Sequence, residues 1–286
     1  MPEPSSRGNV LVTGTSTGIG RASARLLAGE GFRVFAAVRR EEDAQSLRAE
    51  GLDGLVPILL DVTDADSLAR AAKDVSVEVG EAGLSGLVNN AGIGFGGALE
   101  FADLDEIRRG FEVNVFGVLA VLRTFLPLVC RPGGRVVNVS SGAGKVSTPL
   151  LGPYCASKFA LEALSDALRV ELRQAGIRVS VIEPGFIDTP MQSKGRSETE
   201  RRLAQLPPEA PDYYRRALDK MQANLERFGS NATAPEVVAQ AIHKALTARR
   251  PRTRYAVGPD AKLLVPLSRL LPDRAKDAIF GKLQGL

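Results

Sequence analysis

Tyr154 and Lys158 stand four residues apart in the stretch GPYCASK, immediately behind Pro153. Residues at i and i+4 share one face of a helix, so a phenol and an ammonium meet there side by side. A free tyrosine titrates near pH ~10, which leaves about 0.1% phenolate at neutrality, too little for an efficient base. An ammonium about 5 Å away, at an effective dielectric of about 20, stabilises the phenolate by roughly 3 kcal/mol, or about two pKa units. Tyr154 is therefore a candidate proton donor and acceptor, with Lys158 as the charge that tunes it. The alternative is a solvated helix pair, and the surrounding sequence has to decide between them.

A second group of candidates is TGTSTGIG, Thr13 to Gly20, which follows the apolar run NVLVTG and opens a helical stretch. Gly14 permits a tight turn, Gly18 lets backbone approach a ligand closely, and Gly20 allows the helix to pack against the strand. Thr15, Ser16, Thr17 and Ile19 fill the loop between them. The free N–H groups and positive dipole of the helix N-terminus suit phosphates. Ser141 ends the run GRVVNVSS, where strand C-termini of open α/β sheets gather their ligands. Its hydroxyl can hydrogen-bond a carbonyl or alkoxide; Ser140 competes, and strand alternation gives only one of the two a view of the site.

These residues need a framework. Near-continuous apolar runs recur at 9–14, 32–38, 55–62, 84–92, 134–141 and 177–185. They predict strands buried on both faces, hence a parallel sheet covered by helices in β-α-β order. Asp64 caps a helix to about Val79, and Asp103 with Glu106 starts one to about Cys130. Pro153 opens a helix with Tyr154 in its first turn and Gly176 as its C-cap. Residues 186–233 are polar and carry Pro207, Pro208 and Pro211, with apolar anchors such as Phe186, Met191, Leu203, Tyr214, Met221 and Phe228. They read as a mobile lid over a hydrophobic substrate or as amphipathic helices packed on the body, and both can hold. A helix over about 235–248, a short RYAVG strand and a tail interrupted at Pro266 and Pro272 follow. The chain reads as one α/β domain, 1–286, with about seven strands, a lid at 186–233 and a C-terminal extension at 260–286.

Bulk properties exclude other classes. A net charge of +4, from 37 basic and 33 acidic residues, gives no nucleic-acid footprint. Cys130 and Cys155 are too few for a disulfide framework and suit a reducing compartment. The N-terminal MPEPSSRGN lacks the apolar run of a signal peptide, and no uninterrupted apolar stretch approaches the ~18 residues of a membrane span. A cytoplasmic location is the expectation. No Cys/His cluster suggests a metal, His243 reads as a packing residue, and Cys155 points about 100° away from its neighbour Tyr154.

Together TGTSTGIG, NNAG (Asn89 to Gly92), VNVF with Asn114, NVSS ending at Ser141, YCASK and EPG (Glu183 to Gly185) resemble the classical short-chain dehydrogenase/reductase family, in its order and spacing, over about residues 8–190. The EPG form, the lid and the tail are similar to its steroid and retinol dehydrogenase branch. The resemblance implies a Rossmann-type doubly wound sheet and a catalytic set of Asn114, Ser141, Tyr154 and Lys158. Asn114 would hold a water beside the lysine, and Lys158 would also bind the nicotinamide ribose. A positively charged oxidised nicotinamide would lower the phenol further. The resemblance also implies an NAD(P) site formed by the glycine loop, by Asp61 and Val62 at the adenine, by Asn90, Ala91 and Gly92 along the adenine ribose, and by Pro184, Gly185, Ile187 and Thr189 at the carboxamide edge. Asn89 would stabilise the central strands. On spacing alone Asp61 fits a turn cap equally well.

Dinucleotide folds choose NAD with an acid at the end of the second strand and NADP with a base. Here Arg39 and Arg40 follow Val38 with no acid before Glu41, which favours NADP over NAD. Glu41 and Glu42 nearby, and Thr17 at a loop position that is basic in some NADP-dependent relatives, argue the other way. The implied reaction interconverts an alcohol and a ketone or aldehyde on a lipophilic substrate such as a steroid or retinoid, in a homodimer or homotetramer. The alternatives are a β-ketoacyl reductase, which the tail at 260–286 disfavours, and a non-catalytic NADP-binding regulator, which the intact Ser141, Tyr154 and Lys158 disfavour. The tail's Leu/Val stripe and basic residues also allow a membrane-surface contact, with subunit or lid packing as the plainer explanation.

Overall fold

Seven Val-, Leu- and Ile-rich runs form strands in the computed structural model, which describes residues 7–129, 133–229 and 232–286. They are β1 (Asn9–Thr13), β2 (Arg33–Val38), β3 (Leu55–Leu59), β4 (Gly86–Asn89), β5 (Arg135–Val139), β6 (Arg178–Pro184) and β7 (Arg254–Val257). All pair in parallel, in the order β3-β2-β1-β4-β5-β6-β7. Successive crossovers run outward one way from β1 to β3 and the other way from β4 to β7. The crevice beyond the C-terminal ends of β1 and β4 is thus the topological switch point where such sheets bind ligands.

The helices are α1 (Gly18–Gly29), α2 (Glu41–Arg48), α3 (Ala65–Val79), α4 (Leu104–Phe111), α5 (Gly117–Phe125), α6 (Gly152–Glu171), α7 (Pro190–Gln205), α8 (Asp212–Gly229), α9 (Pro235–Thr247), α10 (Pro259–Leu270) and α11 (Asp273–Gln284). Strand alternation sends Val10 and Val12 into one core layer with Leu27 of α1 and Val238 and Ile242 of α9. Leu11 faces the other layer, with Val75 of α3, Phe125 of α5 and Leu161 of α6. Asp64 and Asp103 cap as expected, each accepting two N–H bonds from the first turn of its helix. The capping box at Asp103 is half formed, because the Glu106 carboxylate is engaged instead by Arg202 at 2.9 Å.

Two expectations are corrected, and a third observation bears on the apolar runs. The third strand stops at Leu59 rather than running to Val62: Leu60 N still donates to Val38 O, but the Asp61 carboxylate then accepts from the Thr63 N–H and hydroxyl and turns the chain. Pro266 lies inside α10 without ending it, and only Pro272 separates α10 from α11. The run Leu104–Leu128 is, by length and a mean hydropathy of 1.6, long and apolar enough to cross a membrane although no apolar stretch in it is uninterrupted. Val118, Val121, Leu122 and Phe125 of that run are buried in the core. Cys130, the expected end of that run, and the N-terminal residues 1–6 lie outside the described residues, as does the side chain of Phe228.

Residues 190–229 form a helical hairpin rather than an irregular insert. Leu218 and Met221 of α8 bury against Ala98 and Leu150, with Leu203 and Tyr214 packed around them. Tyr214 Oη donates to Glu100 Oε2 at 3.2 Å. The hairpin is thus a packed amphipathic layer.

Candidate active site

The glycine loop is shaped for a ligand that needs bare backbone. Gly14 has φ +71° and lies against Ala91, so that a Cβ there would sit 2.8 Å from Ala91 Cα. A Cβ on Gly20 would lie 2.1 Å from Gly14 O and 2.5 Å from Asn90 Nδ2. Gly20 is therefore required by the fold as well as by any ligand. Asn90 fastens the loop, its amide donating to Thr13 O at 2.9 Å and Gly14 O at 3.1 Å. Thr17 is the N-cap of α1 and makes no side-chain cap bond, so the first-turn N–H groups face outward for an anion. A Cβ on Gly18 would come within 3.0 Å of Thr189 Cγ2, so Thr189, the N-cap of α7, lies across the mouth of the loop.

The four residues expected to do chemistry converge beside this loop. Asn114 is buried in a π turn (Glu112–Phe116) between α4 and α5, a local widening common at functional sites. Its Oδ1 accepts from Ile93 N at 2.9 Å, while its amide donates to Ile93 O at 2.9 Å and Ser157 Oγ at 3.2 Å. Both amide N–H groups are spent, so the side chain orients the Gly92–Ile93 backbone and keeps no N–H for a water. Ser141 accepts from Ala143 N at 3.1 Å and donates to Pro184 O at 3.5 Å. Ser140 points the other way, its hydroxyl buried without a hydrogen-bond partner among the described residues. Lys158 Nζ lies 5.9 Å from the Tyr154 ring centroid and donates to Val139 O at 3.1 Å. Phe95 closes the far side of the Tyr154 ring edge-on, at 6.0 Å.

The electrostatics differ from the simple expectation. Burial pushes the Tyr154 phenol up to about 12, against the opposing hydrogen bond from Ser141. Burial also brings the Lys158 ammonium down to about 8, partly offset by the Glu162 carboxylate. In the protein alone, desolvation outweighs the attraction that was expected to acidify the phenol. Any further acidification must come from positive charge added when the site fills.

Several expected binding residues are engaged in the fold itself. Thr15 gives its hydroxyl to Ala37 O at 3.1 Å, and Ile19 and Ile187 pack into the core layer under α1. Asp61 is the turn cap described above, and Val62 is buried where a Cβ on Gly117 would touch it at 2.7 Å. Asn89 donates to Asn138 Oδ1 at 2.8 Å and so ties β4 to β5, as expected. At the end of β2, Arg40 is ion-paired with Asp43 at 3.0 Å. Arg39 is exposed and holds no hydrogen bond or ion pair among the described residues.

The sequence reading missed Asp260. From the first turn of α10 its carboxylate accepts from Phe186 N at 2.7 Å and would lie 2.1 Å from a Cβ on Gly185. The loop after Pro184 is thereby latched by the C-terminal extension. The signal was available only as a glycine whose partner lay far along the chain.

A family model described as short chain dehydrogenase matches residues 8–200. The chain belongs to the short-chain dehydrogenase family. It is 40% identical to retinol dehydrogenase 5 of Homo sapiens over 97% of this chain and 89% of the relative. It is 39% identical to the Homo sapiens 17-beta-hydroxysteroid dehydrogenase type 6, over 95% and 87%. An NADPH-dependent 3-dehydrocapnine reductase of Ornithobacterium rhinotracheale is 36% identical, over 95% of each chain. Among solved structures, a short-chain dehydrogenase from Streptomyces avermitilis superposes with a TM-score of 0.77 at 32% identity, covering 99% of this chain and 98% of that one.

As a member of this family the protein is an oxidoreductase, and its glycine cradle, open α1 N-terminus and Lys158 fit a nicotinamide dinucleotide. When bound, that cofactor supplies or accepts the hydride. In this arrangement Ser141 can hold a substrate oxygen against the phenol, and Tyr154 can give a proton to a forming alkoxide or take one from an alcohol. Lys158 places a positive charge beside the phenol, and Asn114 fixes the backbone at Gly92 and Ile93 that borders both.

Proposed function

We propose that this short-chain dehydrogenase uses NADP(H) to interconvert an alcohol and a ketone or aldehyde on a lipophilic substrate of retinoid or steroid kind, bound beneath the α7/α8 hairpin. The observation that carries the reading is Lys158 buried 5.9 Å from the Tyr154 ring centroid, beside the glycine loop and Ser141 at the switch point of the sheet. Met191 of α7, exposed and close to Gly94, supports a greasy substrate. So do relatives whose names refer to retinol and a hydroxysteroid. Arg39 supports NADP, since it alone of the two arginines after β2 has its guanidinium available for a 2′-phosphate. Phe116 and Phe159, 54% and 44% exposed, support a subunit contact and hence a homo-oligomer. A cytoplasmic site of action remains part of the proposal.

The test is a panel of retinoid, steroid and short β-ketoacyl thioester substrates, with NADPH and NADH oxidation followed at 340 nm and Tyr154→Phe as the blank. Turnover of retinoid or steroid carbonyls with NADPH is expected. Turnover confined to the thioesters moves the assignment to β-ketoacyl reduction, and NADPH binding without any turnover points to a regulator.

A further inference from the structure

Behind the catalytic groups lies a set of buried charges that the chemistry above does not use. Glu162 follows Lys158 by one turn on the same face of α6 and is 3% exposed. Lys145, just past the turn at Gly142–Gly144, meets Glu162 Oε2 at 2.7 Å. Arg254 of β7 reaches the same oxygen at 3.1 Å and Glu183 Oε1 of β6 at 3.3 Å. Glu183 is 1% exposed and lies 3.9 Å from Lys145. Asp166, at the rim, holds Arg254 from the other side at 2.7 Å. Two carboxylates and two cations thus balance in the interior, joining α6, β6, β7 and the turn that follows Ser141.

Such an arrangement is poor value as stabilisation, because desolvating ions costs about as much as their attraction returns. Its geometry points to another use. The turn carries Ser141 at its start, where Ala143 N fixes the serine hydroxyl, and ends at Lys145. Gly144 lets it lie on α6: a Cβ there would be 3.0 Å from Glu162 Cγ and 3.1 Å from Lys158 O. The Lys145–Glu162 contact therefore sets the distance between the Ser141 turn and the helix bearing Tyr154 and Lys158.

We infer that Glu162 is a positioning residue for the reaction, pinning the Ser141 turn to α6 through Lys145 and backing the Lys158 ammonium with negative charge. The inference rests on the oxidoreductase assignment. Glu162 faces Lys145 on the turn and Arg254 of β7, with Glu183 of β6 against both cations and Asp166 of α6 against Arg254. Lys158, one turn before Glu162 on α6, donates to the Val139 carbonyl of β5 and lies beside the Tyr154 ring. Glu162→Gln removes one negative charge from this set and Lys145→Met one positive charge. Their effects on Lys158 must therefore have opposite signs.

The experiment measures kcat against pH at saturating NADPH, together with NADPH affinity against pH by fluorescence, which needs no substrate. Both single variants are expected to lose about 10- to 100-fold in kcat with smaller changes in KM, as loosened catalytic geometry does. The alkaline limb of both profiles is expected to move down by about one pH unit in Glu162→Gln and up in Lys145→Met. The neutral double variant Glu162→Gln/Lys145→Met restores the limb but not kcat, and stands in if a single variant fails to fold. Limbs that coincide with wild type in the folded single variants overturn the inference, as does unchanged kcat in any folded variant, the double variant included. A purely structural role would lower Tm and leave the limbs in place. If wild type binds NADPH but turns over none of the substrates, the fluorescence profiles still decide the network while the oxidoreductase reading fails separately.

Discussion

Replacing Lys158 by methionine removes the ammonium and keeps most of the side chain's length. The charge lies 5.9 Å from the Tyr154 ring centroid. At an effective dielectric of about 20 it is worth roughly 3 kcal/mol to the phenolate, or about two pKa units. Since the phenol is already held up near 12, its ionised fraction at neutral pH is small, and losing the lysine cuts it about 100-fold further. The expected result at pH 7 is therefore an approximately 100-fold fall in kcat for alcohol oxidation, over and above any rise in the KM of the dinucleotide. The deficit depends on pH with a definite sign. Lys158 is held down to about 8, so the wild type carries its full charge below that value and loses it above. The ratio of wild-type to variant kcat should be largest at pH 6–7 and shrink between pH 8 and 10. Stability moves the other way. A lysine whose folded pKa lies below its unfolded value penalises the fold at neutral pH, and that penalty is relieved as pH rises from about 8 to 10.5. Lys158→Met should then melt no lower than wild type at pH 7, with the stability difference closing in alkali. Steady-state kinetics from pH 6 to 10 at saturating dinucleotide, with calorimetry on both proteins, check this. A pH-independent ratio, or a kcat loss under about fivefold at pH 7, refutes the electrostatic role of the lysine.

Tyr154→Phe keeps the edge-on contact with Phe95 and removes only the hydroxyl, so kcat should fall by at least about 1,000-fold while dinucleotide affinity changes by less than about threefold. Titration of NADPH fluorescence beside initial rates separates the two. Arg39→Ala should raise the KM for NADPH more than that for NADH, and an equal effect on both removes the argument for NADP. Asp260→Ala frees the Phe186 N–H and leaves room beside Gly185, so dinucleotide affinity should weaken about 10-fold with kcat at saturation little changed. Asp260→Asn, which still offers an acceptor oxygen, should recover most of that loss. Gly20→Ala should yield little folded protein, because its methyl would meet Gly14 O at 2.1 Å; soluble variant with unchanged thermal stability in circular dichroism would contradict the packing described.

Local chemistry was legible in the chain because short-range rules govern it. Six apolar runs and the short RYAVG segment gave the seven strands of the described residues within a few positions, since a strand buried on both faces has little freedom in composition. The i, i+4 spacing set Tyr154 beside Lys158, and the glycine spacing set the loop, because both follow from backbone geometry alone. Ser141 could be narrowed only to a pair, since either serine can end a strand. In the structure the Ser140 hydroxyl is buried. Asp61 read equally as an adenine-site residue and as a turn cap, because spacing does not distinguish an acid aimed at a pocket from one aimed at its own backbone, and its carboxylate does cap the turn at Thr63.

Contacts between distant segments were beyond the sequence. Lys145, Glu162, Glu183 and Arg254 carry no shared spacing, and only the stacking of β5, β6, β7 and α6 makes them neighbours. Asp260 meets Gly185 for the same reason. Burial was decided at that level too, and with it the sign of the phenol's shift. The sequence by itself determined which groups could exchange a proton and which backbone could cradle a phosphate. The tertiary structure decided how far water is kept from them, and charge in a protein is governed by that exclusion as much as by the nearest neighbour of opposite sign.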